Sequence, residues 1–304
     1  MILSTWSDFV TGMTSGFVKN RQVPRIFLAT FNLMPDGEPC GDLVTDALAR
    51  RGLDADWVVW DDDSVAWGDA DLVAVRSTWD YHRRLPEFLG WARHVEARTR
   101  LLNGADVFTW NADKAYLAGL ADDLPCVPTA LLDDRSLVGG LQEATERWGT
   151  VVIKPRVGAS GIGVVVVTGV EDERLQMLAP APWVVQPLVE SVRIMGETSV
   201  YVFGGRAVSQ VDKRAAGDEI RVHEAYGGRS VAAALDPERA ALAEEAVTVV
   251  GARFGRAPAY ARVDVMRWQD AWVVSELELI EPGLYLDVDP ANADRFADLV
   301  VSVL

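Results

Sequence analysis

From residue 25 to about residue 102, compact apolar runs alternate with stretches whose apolar residues recur at helical intervals. RIFLAT (25–30), ADWVVW (55–60) and LVAVRS (72–77) are apolar runs bounded by turn residues and read as strands. Between the first two, DLVTDALARRG (42–52) has helical spacing and stops at Gly52. After the third, LPEFLGWARHVEAR (85–98) has Pro86 near a helix start and places Leu85, Phe88, Leu89, Ala92 and Val95 on one face. Strand–helix repetition of this kind predicts a small parallel sheet covered by helices, with residues 23–106 forming one domain.

Beyond residue 107 the texture changes. Helices are expected around 113–120 and 136–148, with a short strand near Val127 between them. VVIKP (151–155) and VVVV (164–167) flank a glycine-rich stretch and should close as a hairpin rather than as a parallel unit. Further strands are expected at WVVQP (183–187), TSVYVF (198–203), RAVSQVDK (206–213) and IRVHE (220–224). A long helix opens on Asp236 as N-cap with Pro237 at its first position, and Asp289-Pro290 is expected to open a closing helix in the same way. Between them, 260–280 reads as a hairpin turning at Gln269-Asp270-Ala271. The fold class is therefore α/β, with α+β character in a second domain (107–304) made of lobes 107–186 and 187–304.

Bulk properties narrow the function classes. The chain has 304 residues and a net charge of −16, an acidity that disfavours a nucleic-acid partner. Any phosphate it binds must meet local lysine, arginine, backbone N–H or metal. Cys40 and Cys126 are too few for a disulfide framework or a cysteine metal cluster, so a reducing cytoplasm is the default. No apolar run reaches membrane-span length, so no membrane partner is expected. Residues 1–22 lack the pattern of a signal peptide and read as a disordered extension, or as sequence upstream of the true start. A homo-oligomer is compatible with the sequence, which does not set the oligomeric state.

Four stretches can carry chemistry. In VVIKPRVGASGIGVVVV (151–167), Lys154 ends a strand and Gly158, Ser160, Gly161 and Gly163 fill the turn. Glycines let backbone N–H groups close on phosphate oxygens, and the lysine adds a point charge. A GK[ST] P-loop and a dinucleotide fingerprint are both excluded by spacing, and a kinase loop by the missing HRD and DFG. The bland alternative is a flexible turn beside an exposed lysine. Lys114 sits near a helix start, against the dipole, which hints at a second task. In the 260–280 hairpin, the expected register sets Trp268 opposite Trp272, Asp264 opposite Glu276 and Arg262 opposite Glu278. Those four charged residues then share one face, while Val263, Val265, Leu277 and Leu279 form the core face. Opposed carboxylates repel, and a hard divalent cation such as Mg²⁺ would relieve that; a solvated polar face is the alternative. Finally, WVVQPLVE (183–190) stops an apolar strand between two lobes, where backbone groups can meet an adenine edge. No Ser/His/Asp or Cys/His constellation is evident.

Together, in order and spacing, these residues resemble the ATP-grasp superfamily over roughly 107–304, with the parallel sheet resembling the domain that usually precedes it. The resemblance implies that Lys114 and Lys154 hold ATP phosphates under the Gly158–Gly163 loop. It implies adenine contacts at Gln186, Leu188 and Val189, and one or two Mg²⁺ ions on Asp264, Glu276 and Glu278. VSQVDKRAAGDEIRVHEAYGG (208–228) is similar to a segment of glutathione synthetase-like and RimK-like ligases, which implies that Lys213 and Arg221 face the triphosphate and acyl phosphate. Arg262 would join Arg221 in stabilising an oxyanion. His223 and Glu278 depart from that pattern, standing where those ligases commonly carry Asn. RSTWDYHRRLPEFLGW (76–91), WNADKAYL (110–117) and ELELIEPGLYL (276–286) resemble the O-ureido-serine cyclo-ligases of D-cycloserine biosynthesis.

The implied function is an ADP-forming ligase that activates a carboxylate for attack by an amine-type nucleophile. The substrate is a small amino-acid-like molecule, with ring closure and the joining of two amino acids both open. A nucleotide-binding module without chemistry and a phosphoryl-transfer enzyme are the remaining alternatives. Because Arg76-Ser77-Thr78-Trp79-Asp80-Tyr81 follows a predicted parallel strand, Arg76, Thr78, Asp80 and Tyr81 are the candidate substrate contacts. Packing of Trp79 and Tyr81 against the neighbouring lobe is the alternative.

Overall fold

The computed structural model describes residues 23–304; the extension expected at 1–22 lies outside the described residues. The first layer is a parallel sheet. It comprises β1 (Arg25–Thr30), β2 (Asp54–Val59), β3 (Leu72–Ser77) and the two-residue β4 (Arg100–Leu101), in the order β2-β1-β3-β4. Helix α1 (Asp42–Arg50) and helix α2 (Leu85–Glu96) cover it, burying Val44, Ala47 and Leu48 from one and Phe88, Ala92 and Val95 from the other. β1 and β3 are apolar almost throughout because both faces are covered.

The next segment departs from expectation. A single helix over 113–120 is replaced by α3 (Ala105–Asn111) and α4 (Tyr116–Leu120), with Lys114 in the turn between them. Gly104, at φ +88, starts the first helix early. Val127 does not open a strand; its N–H donates to Val274 O, and the strand β5 (Ala130–Leu132) begins three residues later. Helix α5 (Leu137–Trp148) leads into β6 (Val151–Pro155), β7 (Val165–Val167) and β8 (Trp183–Pro187). These form an antiparallel sheet in the order β5-β8-β6-β7, with the glycine-rich turn joining β6 to β7.

After the short helix α6 (Ser191–Ile194) come β9 (Glu197–Phe203) and β10 (Arg206–Arg214). The strand expected at 220–224 is absent; those residues cross as a loop, and the chain re-enters the sheet at β11 (Arg229–Ala233). Helix α7 (Pro237–Phe254) is capped as expected, with the Asp236 carboxylate accepting from the N–H groups of Glu238 and Arg239. β12 (Tyr260–Trp268) and β13 (Ala271–Glu278) complete an antiparallel sheet in the order β11-β10-β9-β12-β13.

The closing helix α8 (Ala291–Val303) has Pro290 at its N-cap; Asp289 pairs with Arg295 instead of capping. This helix returns to the first sheet, where Phe296 and Val300 pack among Ile26, Leu28 and Leu48.

In the β12–β13 hairpin, Arg262 faces Glu278 and Asp264 faces Glu276, as expected. Nearer the turn the expected register fails. Trp272 faces Arg267 and Trp268 faces Ala271, because a bulge at Asp264/Val265 leaves Ser275 unpaired. The Ser275 hydroxyl donates to Asp264 O at 3.0 Å, and the turn shrinks to Gln269-Asp270 with Gln269 at φ +54.

Candidate active site

One cavity of about 640 Å³ lies between the two antiparallel sheets and reaches the loops that follow β1 and β3, a size that suits a small-molecule site. Side-chain alternation along β12 and β13 sends Arg262, Asp264, Glu276 and Glu278 to it, while Val263, Val265 and Leu279 are buried in the core.

The outer edge of β13 would carry unpaired backbone groups, and residues of the α3–α4 segment satisfy them. Asn111 donates to Leu277 O and accepts from Leu279 N, and the Tyr116 hydroxyl bonds both backbone groups of Leu277. That docking sets Lys114 opposite Glu276, with Nζ 3.0 Å from Oε1 and 2.7 Å from Gly158 O. The Lys114 N–H also donates to Arg156 O, so this lysine ties the glycine-rich turn to the acidic hairpin.

The charges form a layered network. The Lys213 ammonium lies 2.5 Å from Glu197 and 3.1 Å from Asp264. Arg262 bridges Asp264 and Glu278, and Ser199 donates to Asp264 at 2.6 Å. Burial works to raise the Asp264 carboxyl, but Arg262 and Lys213 outweigh it and hold it well below the usual range. Burial likewise opposes ionisation of Glu276, and Lys114 with Lys154 hold it low. Glu278 moves the other way, pushed up by burial despite Arg262. Burial is also the main influence on Lys154, lowering it, and among the described residues no acid lies within ion-pair distance of its ammonium.

The opposed carboxylates are therefore where the sequence placed them, but basic side chains relieve their repulsion. Among the described residues no three acidic, histidine or cysteine groups are arranged to hold a metal ion by themselves. Asp264, expected as a direct ligand, has both oxygens occupied by Arg262, Lys213 and Ser199. Glu276 and Glu278 are the more open pair. Mg²⁺ commonly takes only one or two carboxylates, completing its shell with phosphate and water, so this donor set fits it.

The glycine-rich turn forms the roof. Gly158, Ser160 (φ +54) and Gly161 (φ +68) line the cavity. Gly163 (φ +76) does not line it; a Cβ there would approach Pro155 and Ala179 at 3.2–3.3 Å, so this glycine shapes the hairpin. Across the opening, Arg221 pairs with Glu219 at 2.5 Å and stacks on Tyr226, and its Cδ would lie 3.2 Å from a Cβ on Gly161. The 215–228 loop thus meets the turn over the cavity, and His223 lines it as well.

At the β8 end, Gln186, Leu188 and Val189 join Val127, Val152 and Met266 around a largely apolar slot. The Leu188 N–H donates to Thr150 O, so the expected adenine contact of Leu188 falls to its carbonyl or side chain. The Gln186 side chain donates to Thr129, and the Val189 N–H has no partner among the described residues.

The candidate substrate residues divide. Arg76 is wholly buried, paired with Glu38 at 3.0 Å and donating to Pro282 O at 2.6 Å. Thr78 is also buried, and Asp80 accepts from Trp60 Nε1 and pairs with Arg84. These three lie behind the cavity wall, so their expected substrate contacts are corrected to structural ones. Tyr81 and its neighbour Trp79 reach the cavity. Glu281, to which no role was attached from the sequence, reaches it too.

Two antiparallel sheets clasping a cavity with a glycine-rich roof, paired lysines and an acidic hairpin, behind a parallel-sheet domain, define an ATP-dependent carboxylate–amine ligase of the ATP-grasp class. Residues 26–103 match the family model described as the N-terminal domain of D-cycloserine synthetase DcsG. The cycloserine biosynthesis protein DcsG of Streptomyces lavendulae is 30% identical over 278 residues, spanning 85% of this chain and 92% of that protein. The crystal structure of D-cycloserine synthetase DcsG superposes with a TM-score of 0.81 at 28% identity, covering 92% of this chain and 99% of that one. D-alanine–D-alanine ligase from Bacillus anthracis complexed with ATP shares the fold at a TM-score of 0.67 and 15% identity, over 92% of this chain and 96% of that one. The chain belongs to the DcsG family of ATP-grasp ligases.

Proposed function

We propose that this enzyme uses ATP and Mg²⁺ to turn the carboxylate of an amino-acid derivative into an acyl phosphate, which an amine-type nitrogen of the same molecule then attacks to close a ring. A carboxylate oxygen attacks the γ-phosphorus and ADP leaves with the electrons of the broken P–O bond. The nitrogen then attacks the acyl carbon, gives up a proton, and phosphate departs. The observation that carries this reading is the convergence of Lys114, Lys154, Lys213, Arg262 and the Glu276/Glu278 pair on one cavity under the glycine-rich turn.

Lys114 and Lys154 hold the phosphates, and Gly158, Ser160 and Gly161 supply N–H groups above them. The adenine lies in the slot of Gln186, Leu188 and Val189, with the Val189 N–H as donor. Glu276 and Glu278 would hold Mg²⁺, and Asp264 behind them fixes Arg262 and Lys213. When bound, the ion neutralises charge between the γ-phosphate and departing ADP. Arg221, Arg262 and Lys213 face the acyl group and stabilise its developing oxyanion. The D-cycloserine synthetase relative supports ring closure as the outcome.

The test is ADP release with Mg²⁺-ATP across amino acids and their O-substituted derivatives, O-ureido-serine included. One organic substrate should suffice for turnover. A strict requirement for two different amino acids would replace ring closure with a joining reaction. Lys154→Ala should reduce ADP release by about a hundredfold or more, the scale of losing one preorganised charge. Retained turnover in that folded variant would move the nucleotide elsewhere.

A further inference from the structure

Among the described residues, Glu281 is the buried acid of the cavity that no basic side chain neutralises. It is 7% exposed and lines the cavity, and among the described residues its carboxyl makes no ion pair and no hydrogen bond to the side chain of another residue, only the backbone N–H of Glu281 itself donating to it. The other buried acids there are all engaged: Glu38 by Arg76 and the Leu284 N–H, Glu197 and Asp264 by Lys213, Glu276 by Lys114, and Glu278 by Arg262. An unpaired buried carboxyl is costly, and such groups persist where a ligand completes them.

The backbone around Glu281 is held rigidly. Trp79 Nε1 donates to Glu281 O at 3.3 Å, Arg76 to Pro282 O at 2.6 Å, and the Tyr201 hydroxyl to Gly283 O at 2.6 Å. The buried Arg76–Glu38 pair therefore has a purpose visible in the fold, since it fixes the segment that presents this carboxyl. Tyr81 lines the same cavity; burial first, then the Glu281 charge, push the Tyr81 phenol well above its usual range. Burial, with Glu278 nearby, likewise pushes the Glu281 carboxyl up, a penalty that an arriving cation would remove.

Resting on the ligase reading above, we propose that Glu281 binds the ammonium group of the amino-acid substrate and so selects substrates with a free amino group. Lys154 and Glu281 are then complementary: among the described residues, a cation and an acid of one cavity that make no ion pair, the first for a phosphate and the second for an ammonium. An ammonium offers the hydrogen-bond donors that a carboxylate and the neighbouring Tyr81 oxygen can accept.

The experiment measures binding of O-ureido-serine and its N-acetyl derivative by calorimetry, with enzyme saturated in Mg²⁺ and a non-hydrolysable ATP analogue. The native enzyme should prefer the free amine by about tenfold or more, the scale of a charge-assisted hydrogen bond. The isosteric E281Q variant should bind both forms alike, E281D should restore part of the preference, and affinity for the nucleotide should stay unchanged. E281Q keeping the preference overturns the proposal. So does a shift in the Mg²⁺ titration with amine preference intact, which would make Glu281 a metal ligand. Failure of both compounds to bind the native enzyme would sink this proposal, while ADP release with other carboxylates would keep the ligase reading standing.

Discussion

Arg76 and Lys154 are both basic residues near the end of a strand, yet their environments give them opposite tasks. Arg76 is enclosed, held by Glu38 and stacked over Phe296 at 4.8 Å. Lys154 opens onto the cavity, and among the described residues no acid lies within ion-pair distance of it. Replacing Arg76 with Met keeps the volume but strands the Glu38 carboxylate, so the folded state should lose about 3–5 kcal/mol. Denaturant unfolding reads that loss; a change under about 1 kcal/mol would mean that the pair is not a structural tie. Sequence patterns cannot separate these cases, because a strand end looks the same whether the chain beyond it is open or covered by residues 200 positions away. The same limit hid Glu281, whose significance is the absence of a partner, a property that exists only once every neighbour is placed.

At the scale of elements, the strands of 25–77 and 183–213 and the capped helix α7 were legible, since apolar runs and an Asp-Pro start depend on near neighbours alone. The inward face of the β12–β13 hairpin was legible too. Its bulge was not, because the extra residue is stabilised by a side chain reaching across to Asp264 O. The 220–224 stretch misled for a related reason: alternation of polar and apolar residues also suits a loop whose Arg221 and His223 face a cavity.

That loop yields a pH prediction. Hydrogen bonding from Arg221 holds the Glu219 carboxyl at about 2, against about 4.3 in an unfolded chain. A depressed folded value means that the pair stabilises the loop fully above the unfolded value and loses that contribution as pH falls toward about 2. A carboxyl NMR titration of Glu219 should show its midpoint in that low range; a midpoint near 4 would show the pair open in solution.

For the whole molecule, the decisive feature is the return of α8 to the first sheet, where Phe296, Leu299 and Val300 are buried with Ile26 and Leu28. Each such side chain contributes about 1.5–3 kcal/mol when fully buried. Several together rival the about 5–15 kcal/mol that holds a domain folded. Truncation before α8 should therefore abolish the cooperative thermal transition and expose dye-binding apolar surface; a truncated chain that still melts sharply would show that the first sheet folds without it.

By itself the sequence determined most of the elements, the parallel character of the first sheet and the residue types that line the cavity, because hydrophobic period, turn chemistry and motif order are local properties of a chain. Tertiary structure alone decided which charges neutralise one another and which stay free. Ion pairing and burial depend on distances between elements far apart in sequence, so Arg76 became a brace, Asp264 an anchor for Arg262 and Lys213, and Glu281 an open acid.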